Sequence, residues 1–158
     1  MRHTLFAACF LFIGSIAGFA QVIDEHHGQG YAFFATGVTA PDDSSFMHVG
    51  GGGEALIKRV GIGGEIGYLG PWDRLSDGFG VGNVNGSFNF RPGKVSPFVT
   101  GGYTLFFRNG TLNGYNFGGG VNYWLSGRTG LRFEVRDNVM PDYEDTHLVG
   151  FRFGVTFR

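Results

Sequence analysis

A single cysteine, Cys9, stands in the 158-residue sequence, and it falls within the first twenty residues. Those residues have a short basic start at Arg2 and His3 and an apolar run from Leu5 to Ile13. Small residues, Gly18 and Ala20, sit three and one positions before Gln21. This is the layout of a secretory signal peptide over residues 1–20, with an apolar run too short to span a bilayer as a helix. Cys9 comes too early for a lipoprotein cleavage site, so the mature chain is expected to have neither a disulfide nor thiol chemistry. Long hydrophobic runs are also missing. After residue 20 none approaches the roughly 18 residues of a membrane helix. Charge is sparse, at 16% Asp, Glu, Lys and Arg. Arg2 leaves with the signal, so 11 basic residues face 13 acidic ones, a net charge of −2. That balance gives no basic surface for a nucleic acid.

Glycine and phenylalanine are abundant instead, at 30 and 18 residues. Ordinary soluble domains carry about 7% Gly. No triplet repeat runs through these glycines, which excludes collagen, and they alternate with large apolar residues, which argues against disorder. After a polar lead-in at 21–30, residues 31–158 are expected to form one domain.

Within that domain the dominant signal is period-two alternation. In the last twelve residues Val149, Phe151, Phe153, Val155 and Phe157 share one parity, and Gly150, Arg152, Gly154 and Thr156 share the other. This is a strand with one apolar face. The same pattern predicts strands over 31–39, 46–57, 60–68, 79–91, 97–108, 115–125, around 131–136, and 147–158. Lys58-Arg59 forms a tight turn that sets Ile57 opposite Val60. In the fifth strand the face is left open, because Phe98 and Phe106 oppose Val99, Tyr103, Leu105 and Phe107.

Eight strands in an up-and-down meander place alternate connections at the same end. The second, fourth and sixth connections read as tight and the others as longer, the arrangement of an outer-membrane barrel with short periplasmic turns. Most strands reach the roughly 9–11 residues needed to cross a bilayer at a tilt of about 45°, against a soluble average of about 5–6. The expected fold is therefore all-β: an eight-stranded antiparallel up-and-down transmembrane β-barrel.

The polar parity carries Glu54, Glu65, Arg132, Glu134, Arg136 and Arg152. Each Arg at a lipid-facing midplane would cost about 2–4 kcal/mol. These six are therefore placed inside, where an eight-strand lumen is narrow and filled by side chains. Three Glu and three Arg suggest an ion-pair network, against the blander reading of hydrated rim charges. Tyr31, Tyr68, Trp72, Phe90, Tyr123 and Phe157 are expected in interfacial girdles.

Residues 116–136, NFGGGVNYWLSGRTGLRFEVR, resemble the Gly-Gly-Gly-x-x-Tyr, turn, Gly-Leu-Arg-x-Glu-x-Arg hairpin of small OmpA/OmpX-type outer-membrane barrels. Ser96-Pro-Phe-Val-Thr-Gly-Gly-Tyr103 is similar to another strand of that family. The terminal strand, with Gly150, Phe153, Val155 and Phe157, looks like the family's C-terminal assembly signal. The resemblance implies outer-membrane lipid and the barrel-insertion machinery as partners. It also implies no tethering to the cell wall, and the barrel is expected to be a monomer. One departure is Arg158, which follows the aromatic on which such chains end.

Catalytic patterns fail. Gly61-Ile-Gly63-Gly64 lacks the last glycine of a nucleotide fingerprint and no helix follows. The His-x-Ser of lipid A deacylases is absent at His147. Asp142, Glu144 and Asp145 lack calcium-loop spacing, and His26-His27 lack a fixed geometry. The chain is expected to be no enzyme and to need no cofactor or metal. Its role is then structural or surface-interacting, and a filled lumen argues against a general porin. Two alternatives are a soluble lipocalin-like ligand carrier and an outer-membrane lipid A-modifying enzyme acting through His48 or His147.

Overall fold

The computed structural model describes residues 26–40, 42–91, 93–142 and 146–158. The expected signal over 1–20, and Glu144 and Asp145, lie outside these. The described chain contains eight strands: β1 (His26–Ala40), β2 (Ser45–Ile57), β3 (Val60–Pro71), β4 (Phe79–Asn89), β5 (Val95–Phe107), β6 (Thr111–Trp124), β7 (Thr129–Met140) and β8 (Thr146–Phe157). Each pairs antiparallel with the next, and β1 pairs antiparallel with β8, closing the barrel. A short 3-10 turn at Leu75–Asp77 lies between β3 and β4.

Alternation sets the two faces as the sequence indicates. In β8, Phe151, Phe153, Val155 and Phe157 are exposed on the outer wall, while Gly150, Arg152 and Thr156 are buried inside. The most exposed large aliphatics, Ile62 at 67%, Val84 at 63% and Ile66 at 60%, project from the outer wall, Val84 and Ile66 near its middle. Water would not leave such a wall bare: contiguous apolar patches beyond a few hundred Å² mark an interaction or membrane surface. Ile57 and Val60 stand opposite each other across the Lys58-Arg59 turn, as expected. Lys58 carries the turn with a left-handed φ of 59°.

Several boundaries differ from the sequence-based expectation. β1 starts at His26, so part of the expected lead-in is barrel wall: Gly28, Gln29 and Gly30 pair with Ala55, Glu54 and Gly53. Its polarity reads as a linker because a lumen-facing stretch is polar too. The expected loop at 109–113 shrinks to 108–110, since Thr111, Leu112 and Asn113 pair with Phe107, Phe106 and Leu105. β7 likewise runs on to Met140, which shortens the expected loop from Asn138. The loop end is thus closed by connections 41–44, 72–78, 108–110 and 141–145, and the turn end by 58–59, 90–94 and 125–128. Length separates the two ends less cleanly than the sequence suggests.

The open question of β5 is settled: Phe98 and Phe106 are buried inside, and Val99, Tyr103 and Phe107 face out. Tyr31, expected in a girdle, is also buried inside, because it shares the inward parity of Phe33 and Ala35. Trp72, Phe90 and Phe157 are exposed. Trp72 folds back on the outer wall, its indole N–H donating to Thr36 Oγ1 at 3.2 Å and its ring meeting Phe34 edge-on.

The lumen as candidate functional site

The six charged residues singled out in the sequence meet in the lumen. Register explains how. Glu134 on β7 stands directly opposite Arg152 on β8, Glu65 on β3 opposite Asn83 on β4, and Glu54 on β2 opposite Gln29 on β1. Inward side chains from distant strands then close the remaining gaps across a bore only eight strands wide.

Arg152 Nη1 donates to both oxygens of Glu65 at 2.9 Å. The same nitrogen lies 3.8 Å from Glu134 Oε1. Arg132 Nε donates to Glu134 Oε2 at 3.0 Å. Arg136 pairs with Glu134 through its guanidinium and donates Nη1–H to Asn116 Oδ1 at 2.9 Å. Arg132 Nη1 stands 3.6 Å from Glu54 Oε1, and Glu54 also accepts from Gln29 and Ser87. Glu134 is therefore the hub, touching all three arginines. Charge is neutral over the set, and the members are almost wholly removed from solvent, Arg136 at 1% exposure. A buried ion is tolerated only with good geometry and further hydrogen bonds, and the neighbours supply them. Asn83 donates to Glu65 at 2.7 Å, Tyr31 donates to it at 3.2 Å, and Thr104 accepts from Asn116 at 2.9 Å.

Aromatic rings complete the charged layer. The Arg132 guanidinium lies between the rings of Phe98 and Tyr31, 4.0 and 4.4 Å from their centroids. Arg152 lies 4.3 Å from that of Phe33. Such stacking strengthens in a desolvated site. His48, at 1% exposure, sits edge-on to Phe33, with Nδ1 3.4 Å from Arg152 Nη2. Glycines make the room. A Cβ on Gly67 would stand 2.6 Å from His48 Nε2, and one on Gly52 3.0 Å from the Tyr31 hydroxyl.

The lumen is not polar throughout. Toward the loop end Phe46, Leu69, Val81, Phe106, Met140 and Leu148 pack into one buried cluster, with Phe79 against it. Gly150, placed in the expected assembly signal, faces inward against the Phe46 ring, where a Cβ would lie 3.3 Å from Cζ; Phe153, Val155 and Phe157 face outward. At the turn end Arg158 lays its guanidinium 4.1 Å from the centroid of buried Trp124 and donates Nε–H to Gly127 O at 3.2 Å.

Sequence reasoning missed the apolar cluster, the stacking rings and the Asp137–His147 pair on the outer wall, at 2.7 Å. The pairing register could have found the last, since Val139 stands opposite His147 with Asp137 two residues before it. Among the described residues no group of three or more His, Cys, Asp and Glu could hold a metal ion. Tyr31→Phe is expected to cost about 1.5–3 kcal/mol, the range for a hydrogen bond to a charged group. Urea titration of the folded protein in vesicles checks it, and an unchanged midpoint would show that Glu65 does not depend on that hydroxyl.

No family model matches the chain. No curated protein matches it either. Solved structures do. The N-terminal β-barrel domain of Pseudomonas aeruginosa OprF is similar with a TM-score of 0.66 at 13% identity, over 85% of this chain and 97% of that one. Neisserial surface protein A is similar at 0.65 and 14%, over 87% and 99%. Ail, the attachment invasion locus protein of Yersinia pestis, crystallised with the heparin analogue sucrose octasulfate, gives 0.53 and 10%, over 85% and 99%. At these identities the likeness establishes the fold, and the fold of this chain is that of the eight-stranded outer-membrane barrels of the OmpA/OmpX type.

Proposed function

We propose that the chain is an integral outer-membrane protein, a monomeric filled barrel that supports the membrane or presents its loops at the surface, and not a general porin. The observation that carries this is the opposition of the two faces. A continuous wall of exposed Phe, Ile and Val surrounds a lumen in which every charge singled out in the sequence is paired. Lipid is the solvent that favours such a wall, and paired charges close the bore to bulk water. A signal peptide cut after Ala20 would deliver the chain across the inner membrane. The barrel-insertion machinery would then read β8 through Gly150, Phe153, Val155 and Phe157. No step of chemistry is assigned to the barrel.

A soluble ligand carrier needs an apolar cavity, and this bore is filled by arginine, glutamate and aromatic rings. A lipid A-modifying enzyme needs its base at the lipid. His48 is sealed in the lumen, and exchanging it and His147 for alanine is expected to leave lipid A composition unchanged. Fractionation with a heat-modifiability gel tests the main reading. The expected result is an outer-membrane protein whose unboiled band migrates apart from the boiled one. A soluble periplasmic protein without that shift would overturn it. Within the same reading Ile66→Arg, in the middle of the outer wall, is expected to cost about 2–4 kcal/mol. No loss of unfolding free energy in vesicles would mean that this wall does not face hydrocarbon.

A further inference from the structure

The two ends of the barrel carry opposite charge. At the loop end stand Asp42, Asp43, Asp73, Asp77 and Asp142, and the two arginines there are engaged: Arg74 lies 3.3 Å from Asp73, and Arg108 lies 3.6 Å from Asp77. Apart from Arg158, which stacks on Trp124, the cations at the turn end are Lys58, Arg59, Arg91, Lys94 and Arg128. All five are exposed, and none forms an ion pair with a described carboxylate. Asp24 and Glu25, which precede His26 in the sequence, lie outside the described residues.

These cations have a particular height. Lys58 and Arg59 follow Ile57 and precede Val60, both exposed on the outer wall. Arg91 follows exposed Phe90, Lys94 precedes exposed Val95, and Arg128 closes the turn that begins at exposed Leu125. Lys94 also holds its ammonium 5.4 Å from the ring of Tyr123, an outward-parity aromatic. The collar therefore begins where the apolar wall ends, at the depth of a headgroup when the wall is in hydrocarbon. Lys and Arg at that depth bind phosphate oxygens with charge-assisted hydrogen bonds, and anionic headgroups attract clustered cations. Five unpaired cations in a ring match several singly charged headgroups better than one compact anion.

We infer that the turn-end collar is a binding surface for anionic phospholipid headgroups, which selects the annular lipids of the leaflet at that end. The inference rests on the membrane reading. It is tested with the full folded chain in phosphatidylcholine vesicles that contain a trace of spin-labelled lipid, either phosphatidylglycerol or phosphatidylcholine. The motionally restricted fraction is expected to be severalfold larger for phosphatidylglycerol, and the preference should shrink as salt screens the exposed charges. The variant K58Q/R59Q/R91Q/K94Q should lose the preference while keeping its heat-dependent band shift. The loop-end variant R74Q/R108Q should keep both. If the quadruple variant does not fold, K58Q/R59Q and R91Q/K94Q separately should each reduce the preference. Equal restricted fractions for the two lipids, or a preference that survives neutralisation, overturn the collar. A wild-type chain without the band shift counts against the membrane reading itself, so the two failures are distinct.

Discussion

Glu134→Gln is expected to lower the unfolding free energy by about 3–5 kcal/mol, the penalty for breaking a buried ion pair by removing one partner. Glutamine keeps the size and most of the hydrogen-bonding shape of glutamate, so the loss reads out charge. Three guanidiniums converge on this carboxylate. Neutralising it leaves Arg136 without a carboxylate partner among the described residues, and Arg132 and Arg152 with one each, Glu54 and Glu65, where little solvent is accessible. The hub position also shows why a charge swap is the wrong test. An arginine at 134 beside a glutamate at 136 would still face Arg132 and Arg152. Neutralising one cation is the better complement. Arg136→Gln added to Glu134→Gln restores the balance of two Glu and two Arg, and the double variant is expected to be more stable than the sum of the single losses. Coupling of about 0.5–3 kcal/mol is usual for residues in one network. Urea unfolding in vesicles checks it. Strict additivity, or a Glu134→Gln midpoint equal to wild type, would mean that the six charges do not act as a unit.

The second large effect is expected at Phe46. Phe46→Ala removes a ring that reaches the backbone opposite, where a Cβ on Gly37 would lie 2.6 Å from its Cζ. Truncating a buried Phe costs about 3–5 kcal/mol. The site lies in the apolar cluster that covers the charged layer at the loop end, so the variant should also pass more ionic current in planar bilayers. Phe46→Leu keeps much of the cover and should recover most of the stability. A Phe46→Ala barrel of unchanged midpoint and unchanged conductance would show that the cluster neither holds nor seals that mouth.

The fold was legible wherever the lumen is polar. In β2, β3, β4, β6, β7 and β8 Glu54, Glu65, Asn83, Asn116, Glu134 and Arg152 go inward, and Val49, Ile66, Val84, Phe117, Val135 and Phe153 go outward. The rule gives no direction in β1 and β5, and it breaks at the loop end of β2, β3, β4, β7 and β8, because the lumen changes character along its axis. Phe33 and Phe98 stack on arginines, and Phe106 belongs to the apolar cluster. Apolar residues then occupy both parities, and alternation carries no direction. Strand ends were misjudged for a related reason. Gln29 looked like linker because it is polar, yet it serves Glu54 from inside the wall. The identity of the six lumen charges was legible from parity. Their connection was not, since it depends on register between strands as distant as β3 and β8, where Glu65 and Arg152 are 87 positions apart.

That separation bears on the chain before it is a barrel. The Glu65–Arg152 contact cannot form until β8 has arrived, and β8 is held on both sides, by β7 and by β1. Until then the inward charges remain hydrated and oppose the clumping that the aromatic wall would otherwise drive. The same arginines and glutamates that bind the finished barrel together therefore act earlier as solubilising groups, and they exchange water for one another in the step that closes the seam.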